Sequence, residues 1–258
     1  RQNLSIIFTP MDHHHMNQAS PWGDFQFAPE ITIPLFILAI WYYRSNYQKT
    51  RNQKLFALGA IATTLAVVVT PIGARAMDFF SLHMYQHVTL LMLAGPLFVL
   101  ATPQELREKL QRNKIFYTLT NPWLAFLLYA TMMVGVHLSG PHLFIMENPW
   151  AHQYLEVPLY IVIPYLFYFN LIDPNLTKRR ISPAMSVINL FLMMVPETLT
   201  GFAIYITKES AYNFMYEIND QRGGGTIMWS GGMIIDAAWI SLAVYHWYKS
   251  EELKSKSL

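Results

Sequence analysis

Between Leu82 and Leu100 the chain carries an apolar run long enough to cross a bilayer as one helix, interrupted near its start by His83, Gln86 and His87. A helix in this stretch places His83 and His87 one turn apart on the same face, where neutral imidazole nitrogens are spaced to share a metal ion; a simple interhelical hydrogen bond is the other reading of the pair. A segment with these two properties fixes much of what can surround it. Its neighbours must be apolar, and they must supply company for two buried histidines.

The composition agrees. Hydrophobic residues make up 53% of the 258 and charged residues only 13%, with a mean hydropathy of +0.24, against about 25% charge in a soluble domain. The net charge of +2 is small and scattered, so no nucleic-acid partner is expected. Cysteine is absent, which excludes disulfides, thiolate metal sites and a cysteine nucleophile. Soft-metal chemistry therefore falls to histidine and methionine. The chain starts at Arg1, which leaves open whether a segment precedes it.

Seven apolar spans are predicted, near residues 29–43, 55–74, 82–100, 119–138, 155–172, 183–206 and 226–248. The sixth is expected to be interrupted at Pro196-Glu197. The connections after spans one, three and five, with the C-terminal tail, hold 14 of the 18 Lys and Arg. Short basic loops stay in the cytoplasm, so this reads as an all-α integral membrane protein, a seven-transmembrane-helix bundle with its N-terminus outside and its C-terminus cytoplasmic. Residues 1–28 form an extracytoplasmic tail, 29–248 the membrane domain and 249–258 a cytoplasmic tail. The tail run from Met11 to Met16, with three consecutive histidines, reads as solvated chain rather than a fixed site.

In this topology all of the nine histidines except His246 lie on the outer side. His83 and His87 sit in span three, His137 ends span four, and His142 and His152 belong to a proline-bearing loop before span five. These five are the candidate metal ligands, and Met84, Met146 and Met228 are candidate thioether donors; imidazole with thioether suits copper. Glu197 and Asp236 lie near mid-membrane depth, where a carboxylate is costly and suggests function: a proton acceptor, a histidine partner or part of a cation path. Either acid could equally be protonated and bonded to a neighbouring helix. Gly223, Gly224 and Gly225 lack the Gly-Lys-Ser or Gly-Lys-Thr of a phosphate loop and suggest a tight turn that tucks Asp220 and Arg222 against the bundle.

The motifs resemble those of the seven-span CtaG family of cytochrome c oxidase assembly factors, which is distinct from the single-span copper chaperone of the same name. The residues concerned are His83-Met84, Gln86-His87, Leu90-Leu91-Met92 and Ala94-Gly95-Pro96, then Pro196 and Gly201, then Asp220-Gln221-Arg222, Gly224-Gly225 and Ile227-Met228-Trp229. Order and spacing match across most of residues 29–248. The resemblance implies a protein that matures a haem-copper oxidase by helping to insert the buried copper, with His83 and His87 as functional positions; His137, His142 and His152 follow from topology. Gly223, Ser230-Gly231 and Val157 depart from the family pattern, the last standing beside Glu156 where another histidine is common.

The expected function is thus oxidase assembly in a bacterial inner membrane, with copper as the ion carried, the lipid bilayer as surroundings and the oxidase subunit bearing the buried copper as partner. No nucleophile and base pair is visible, so no enzymatic reaction is expected. A cation transporter using Glu197 and Asp236, a structural membrane subunit and a haem-binding redox protein are the other readings.

Overall fold

The computed structural model describes residues 24–172 and 181–256. The histidine-rich tail and the basic group Lys178-Arg179-Arg180 lie outside the described residues. Every regular element among the described residues is helical. In order they are α1 (Pro29–Arg44), α2 (Arg51–Val68), the single turn α3 (Pro71–Ala74), α4 (Phe80–Ala101), α5 (Gln104–Arg112), α6 (Lys114–Leu119), α7 (Pro122–Gly135), α8 (Ser139–Glu147), α9 (residues 149–168), α10 (Pro183–Ile206) and α11 (residues 218–255).

Among the described residues three helices are long and apolar enough to cross a membrane: α4, α10, and Ile218–Lys249 within α11. A fourth crossing arises if α7 and α8, bent by 74° at the break between them, act as one broken span. The remaining expected spans fall short for local reasons. α1 has 16 residues, about 24 Å of helix against a hydrocarbon core of about 30 Å. α2 spends its first turn on Arg51 and Lys54, and the apolar part of α9 after Glu156 is the 12-residue stretch Val157–Tyr168.

α4 is the axis. In its most apolar stretch 72% of the residues are buried, against 33% in α10 and 22% in α11. α2, α9 and α11 pack on it, α10 packs along α11, and α7 closes the ring between α9 and α10. α1 lies outside, against α2.

Local chemistry explains the irregularities of the axis. Pro96 cannot donate to the carbonyl of Met92, and a π-helical turn, Leu90–Ala94, precedes it. The Trp239 indole N–H from α11 donates to that Met92 carbonyl at 2.7 Å. Next to it, a side chain at Gly95 would meet the Pro164 ring at 2.7 Å, so glycine allows α4 and α9 to touch. α10, by contrast, runs through Pro196 without the expected interruption. The neighbouring helices support it on one face, where Asn189, Met193, Glu197 and Gly201 are buried.

The glycine-rich segment also differs from expectation. Gly223, Gly224 and Gly225 are helical, inside Ile218–Thr226, and no glycine among the described residues has positive φ. What they supply is close approach: a Cβ on Gly224 would fall 2.3 Å from the Phe80 ring. The tucking of Asp220 does occur. Its carboxylate accepts from the Phe80 N–H at 2.6 Å, the Ser81 N–H at 3.3 Å and the Ser81 hydroxyl. α4 has no capping side chain of its own, so Asp220 caps from another helix the element that carries His83 and His87, where its charge also suits the helix dipole. Asp220→Ala is expected to cost about 1–2 kcal/mol, read as a lowered melting temperature in detergent; an unchanged midpoint would remove Asp220 from this role.

Candidate metal centre

The centre forms where α4, α8 and the start of α9 meet. His83 and His87 project from α4 with ring centroids 4.0 Å apart. α9 begins with a turn at Pro149–Ala151 and continues through a second π-helical turn, His152–Glu156, before Pro158 in Val157–Tyr168. Such turns frequently mark functional sites. This one presents His152 and Glu156 to the same point as the α4 pair.

Glu156 is the hub. One of its oxygens lies 3.4 Å from His87 Nε2; the other lies 3.8 Å from His83 Nε2 and 3.9 Å from His152 Nε2. One donor atom from each of His83, His152 and Glu156 lies within 4.8 Å of the other two. Donors on a tetrahedral ion bound at about 2.1 Å stand about 3.4 Å apart, so the Glu156 distances need contraction of only a few tenths of an ångström. Both ring nitrogens of His83, both of His87 and both oxygens of Glu156 are buried without a hydrogen-bond partner. Groups that cost so much to leave unsatisfied rarely occur together, and here His83 Nε2 and His87 Nε2 each lie within 4 Å of a Glu156 oxygen. A cation would satisfy these facing atoms, one nitrogen from each ring, since the two nitrogens of an imidazole point apart.

The other histidines are in place but already engaged. His152 Nε2 bonds Gln86 Oε1 at 3.1 Å, and the Gln86 amide is itself fixed by donation to the Val67 carbonyl at 2.8 Å. His137 donates from Nδ1 to the Met133 carbonyl at 2.5 Å, and its unprotonated Nε2 touches Met84 Sδ at 3.2 Å. His142 Nε2 bonds the Tyr216 hydroxyl at 3.2 Å, and its ring lies 5.5 Å from that of His83. His142 lies within α8 and His152 in the π-helical turn, not in the loop expected for them. Met84 thus leans on His137, while Met146 and Met228 belong to the apolar core.

A lid of aromatic residues closes the centre. Tyr212 and Tyr216, in the connection between α10 and α11, pack on Phe80 and His142, and the Tyr212 hydroxyl donates to the His137 carbonyl at 3.1 Å. Burial pushes both phenols well above their ordinary range, so they stay neutral and serve as hydrogen-bonding walls. On the opposite side Tyr160 stacks on His87 with centroids 3.8 Å apart.

Sequence reasoning missed Glu156 and Tyr160 as members of the centre. The signal was a spacing: His152, Glu156 and Tyr160 recur at four-residue intervals, as His83 and His87 do, and so share a helix face.

An all-helical bundle whose apolar interior encloses an imidazole and carboxylate cluster defines a membrane protein organised around a buried polar centre. Comparison with known families makes this specific: the model of the cytochrome c oxidase caa3 assembly factor family matches residues 32–250, and the chain belongs to that family. Uncharacterized proteins of Mycobacterium bovis and Mycobacterium tuberculosis are each 24% identical to it over 230 residues, and one of Mycobacterium leprae is 23% identical. Each match covers 75% of this chain and 35% of the relative, so the chain spans about a third of the length of the curated relatives it matches. No solved structure matches the chain.

Proposed function

We propose that the protein assists maturation of a haem-copper cytochrome c oxidase by holding a copper ion in transit at His83, His87 and Glu156, with His152 joining when its Nε2 exchanges the Gln86 bond for the ion. The ion then passes to the oxidase subunit that carries the buried copper. Family membership supplies the oxidase; the unpartnered Nε2 atoms of His83 and His87, facing the unpartnered Glu156 oxygens, carry the metal. His137 and His142 stand behind the donors and fix Met84 and Tyr216 around them. The ion is cargo, so no chemical step on the protein is required. Three or four exchangeable ligands suit release better than a closed cage of fixed thiolates.

In the same proposal α1, α2 and α9 cross the membrane beside α4, the α7–α8 pair, α10 and α11. That makes seven spans in a bacterial inner membrane, with the N-terminus outside and the centre near the outer surface. The distribution of Lys and Arg supports this orientation. A haem-binding role fits less well: the His83 ring lies 4.0 to 5.5 Å from those of His87, His142 and His152, which leaves no plane for a porphyrin between them.

The test is copper content and Cu(I) affinity of purified protein, measured against a competing chelator, for wild type and His83→Ala/His87→Ala. About one copper per chain is expected in the wild type, lost in the double variant with helicity retained. Oxidase copper content in cells carrying the variant should fall in parallel. A folded wild type that retains no copper, reduced or oxidised, would overturn the metal reading; unchanged oxidase copper with binding lost would overturn the delivery step.

A further inference from the structure

A second group of unpartnered polar atoms lies apart from the histidines. Glu197 on α10 is 1% exposed and Asp236 on α11 is 2% exposed. Both oxygens of Glu197 and Oδ2 of Asp236 have no hydrogen-bond partner. Asp236 follows Gly232 by four residues in α11, so it stands on the helix face where Gly232 meets Glu197. A third element supplies a donor: Tyr129 belongs to α7, which packs against α10, is completely buried, and has an unpartnered hydroxyl.

The backbone around the acids is shaped for them. A Cβ at Gly232 would fall 2.1 Å from Glu197 Oε1, so the absence of a side chain there is what gives the carboxylate its place. Two facing carboxylates and a phenol, closed off from water, carry a desolvation cost that hydrogen bonds among the described residues do not relieve. A bound cation relieves it for all three at once. The donors are oxygen throughout, unlike the mixed nitrogen and oxygen set at Glu156, and oxygen donors favour hard ions such as magnesium and manganese over copper(I).

We propose that Glu197, Asp236 and Tyr129 form a second cation site, separate from the histidine centre, that takes a hard divalent ion. The site does not rest on the copper reading and survives its failure.

Mn2+ titrated into metal-free purified protein, followed by loss of the free-ion electron paramagnetic resonance signal, tests it. Wild type and His83→Ala/His87→Ala are expected to bind Mn2+ with equal affinity, and Glu197→Gln/Asp236→Asn to bind none. Tyr129→Phe, which keeps both acids and the fold, is expected to weaken binding about tenfold or more, and reads the site should the double amide variant not fold. Absence of binding in the wild type, full affinity in Tyr129→Phe, or loss of binding in the histidine variant would each overturn the proposal. So would an infrared carboxylic-acid band in the wild type that disappears in Glu197→Gln and is unmoved by Mn2+, since the pair would then hold a proton instead.

Discussion

Glu156→Gln is expected to weaken copper binding by at least about 100-fold, the upper end of what outer partners of a metal site cost, because Glu156 is the one group that approaches His83, His87 and His152 at once. The amide keeps the shape of the side chain and removes its charge. The informative companion is Glu156→Met, which removes the polarity as well. In ion-free protein the Glu156 oxygens are buried without partners, and exchanging an unsatisfied buried polar group for an apolar one of similar volume is neutral or stabilising, by about 1–3 kcal/mol. Glu156→Met should therefore melt at or above the wild type without metal, yet lack the rise in melting temperature that the proposal expects copper to give the wild type. Stability given up for an ion is the mark of a binding residue. A Glu156→Met protein that melts well below the metal-free wild type would instead make Glu156 a structural bonding partner of the histidines, and the ion would have to sit elsewhere.

The sequence made one half of this centre visible and hid the other, for a physical reason. His83 and His87 stand out because two imidazoles at helical spacing in a lipid-length apolar run have no cheap explanation. Their partner Glu156 sits beside an apolar stretch near a predicted span end, where a lone acid is ordinary, and its four-residue spacing from His152 and Tyr160 means little until that stretch is known to face the α4 pair. The same holds for Gly223, Gly224 and Gly225, read as a turn because glycine so often marks one. Their meaning lies in what packs against them, Phe80 from α4 and Tyr205 from α10, which are distant in sequence. Pro196 failed as a marker in the opposite sense: it removes one backbone bond of α10, but a helix held by neighbours continues through it. The helical class and the central place of Leu82 to Leu100 were legible because apolar length and composition are local properties. The convergence of α4, α8 and α9 on one point is not local.

Gly201→Ala is expected to lower stability by about 1–3 kcal/mol, the usual cost of forcing volume into a closed contact, although alanine is the better helix former at an open position. A Cβ at Gly201 would meet the Trp229 backbone nitrogen at 2.7 Å and the Gly225 carbonyl oxygen at 3.0 Å. Gly225 faces the same problem in reverse, with the Gly201 carbonyl and the Tyr205 nitrogen both at 2.8 Å. These are backbone atoms and cannot swing aside, so α10 and α11 must move apart. Small residues that let two membrane helices approach closely serve this purpose. Gly231→Ala is the control: nothing lies within 4 Å of its Cβ, and the same substitution there should be neutral or stabilising by about 0.5–1 kcal/mol. Because Gly201 and Gly225 share one contact, the double alanine variant should cost less than the two single losses combined. The consequence extends to function, since α10 carries Glu197 and α11 carries Gly232 and Asp236. Spreading these helices moves the two acids away from each other, so Gly201→Ala should weaken Mn2+ binding and leave copper binding at the proposed centre between α4 and α9 unchanged. Thermal unfolding in detergent for all four variants, with both metal titrations, reads these outcomes. A Gly201→Ala protein as stable as Gly231→Ala would show that the helices do not meet at these glycines.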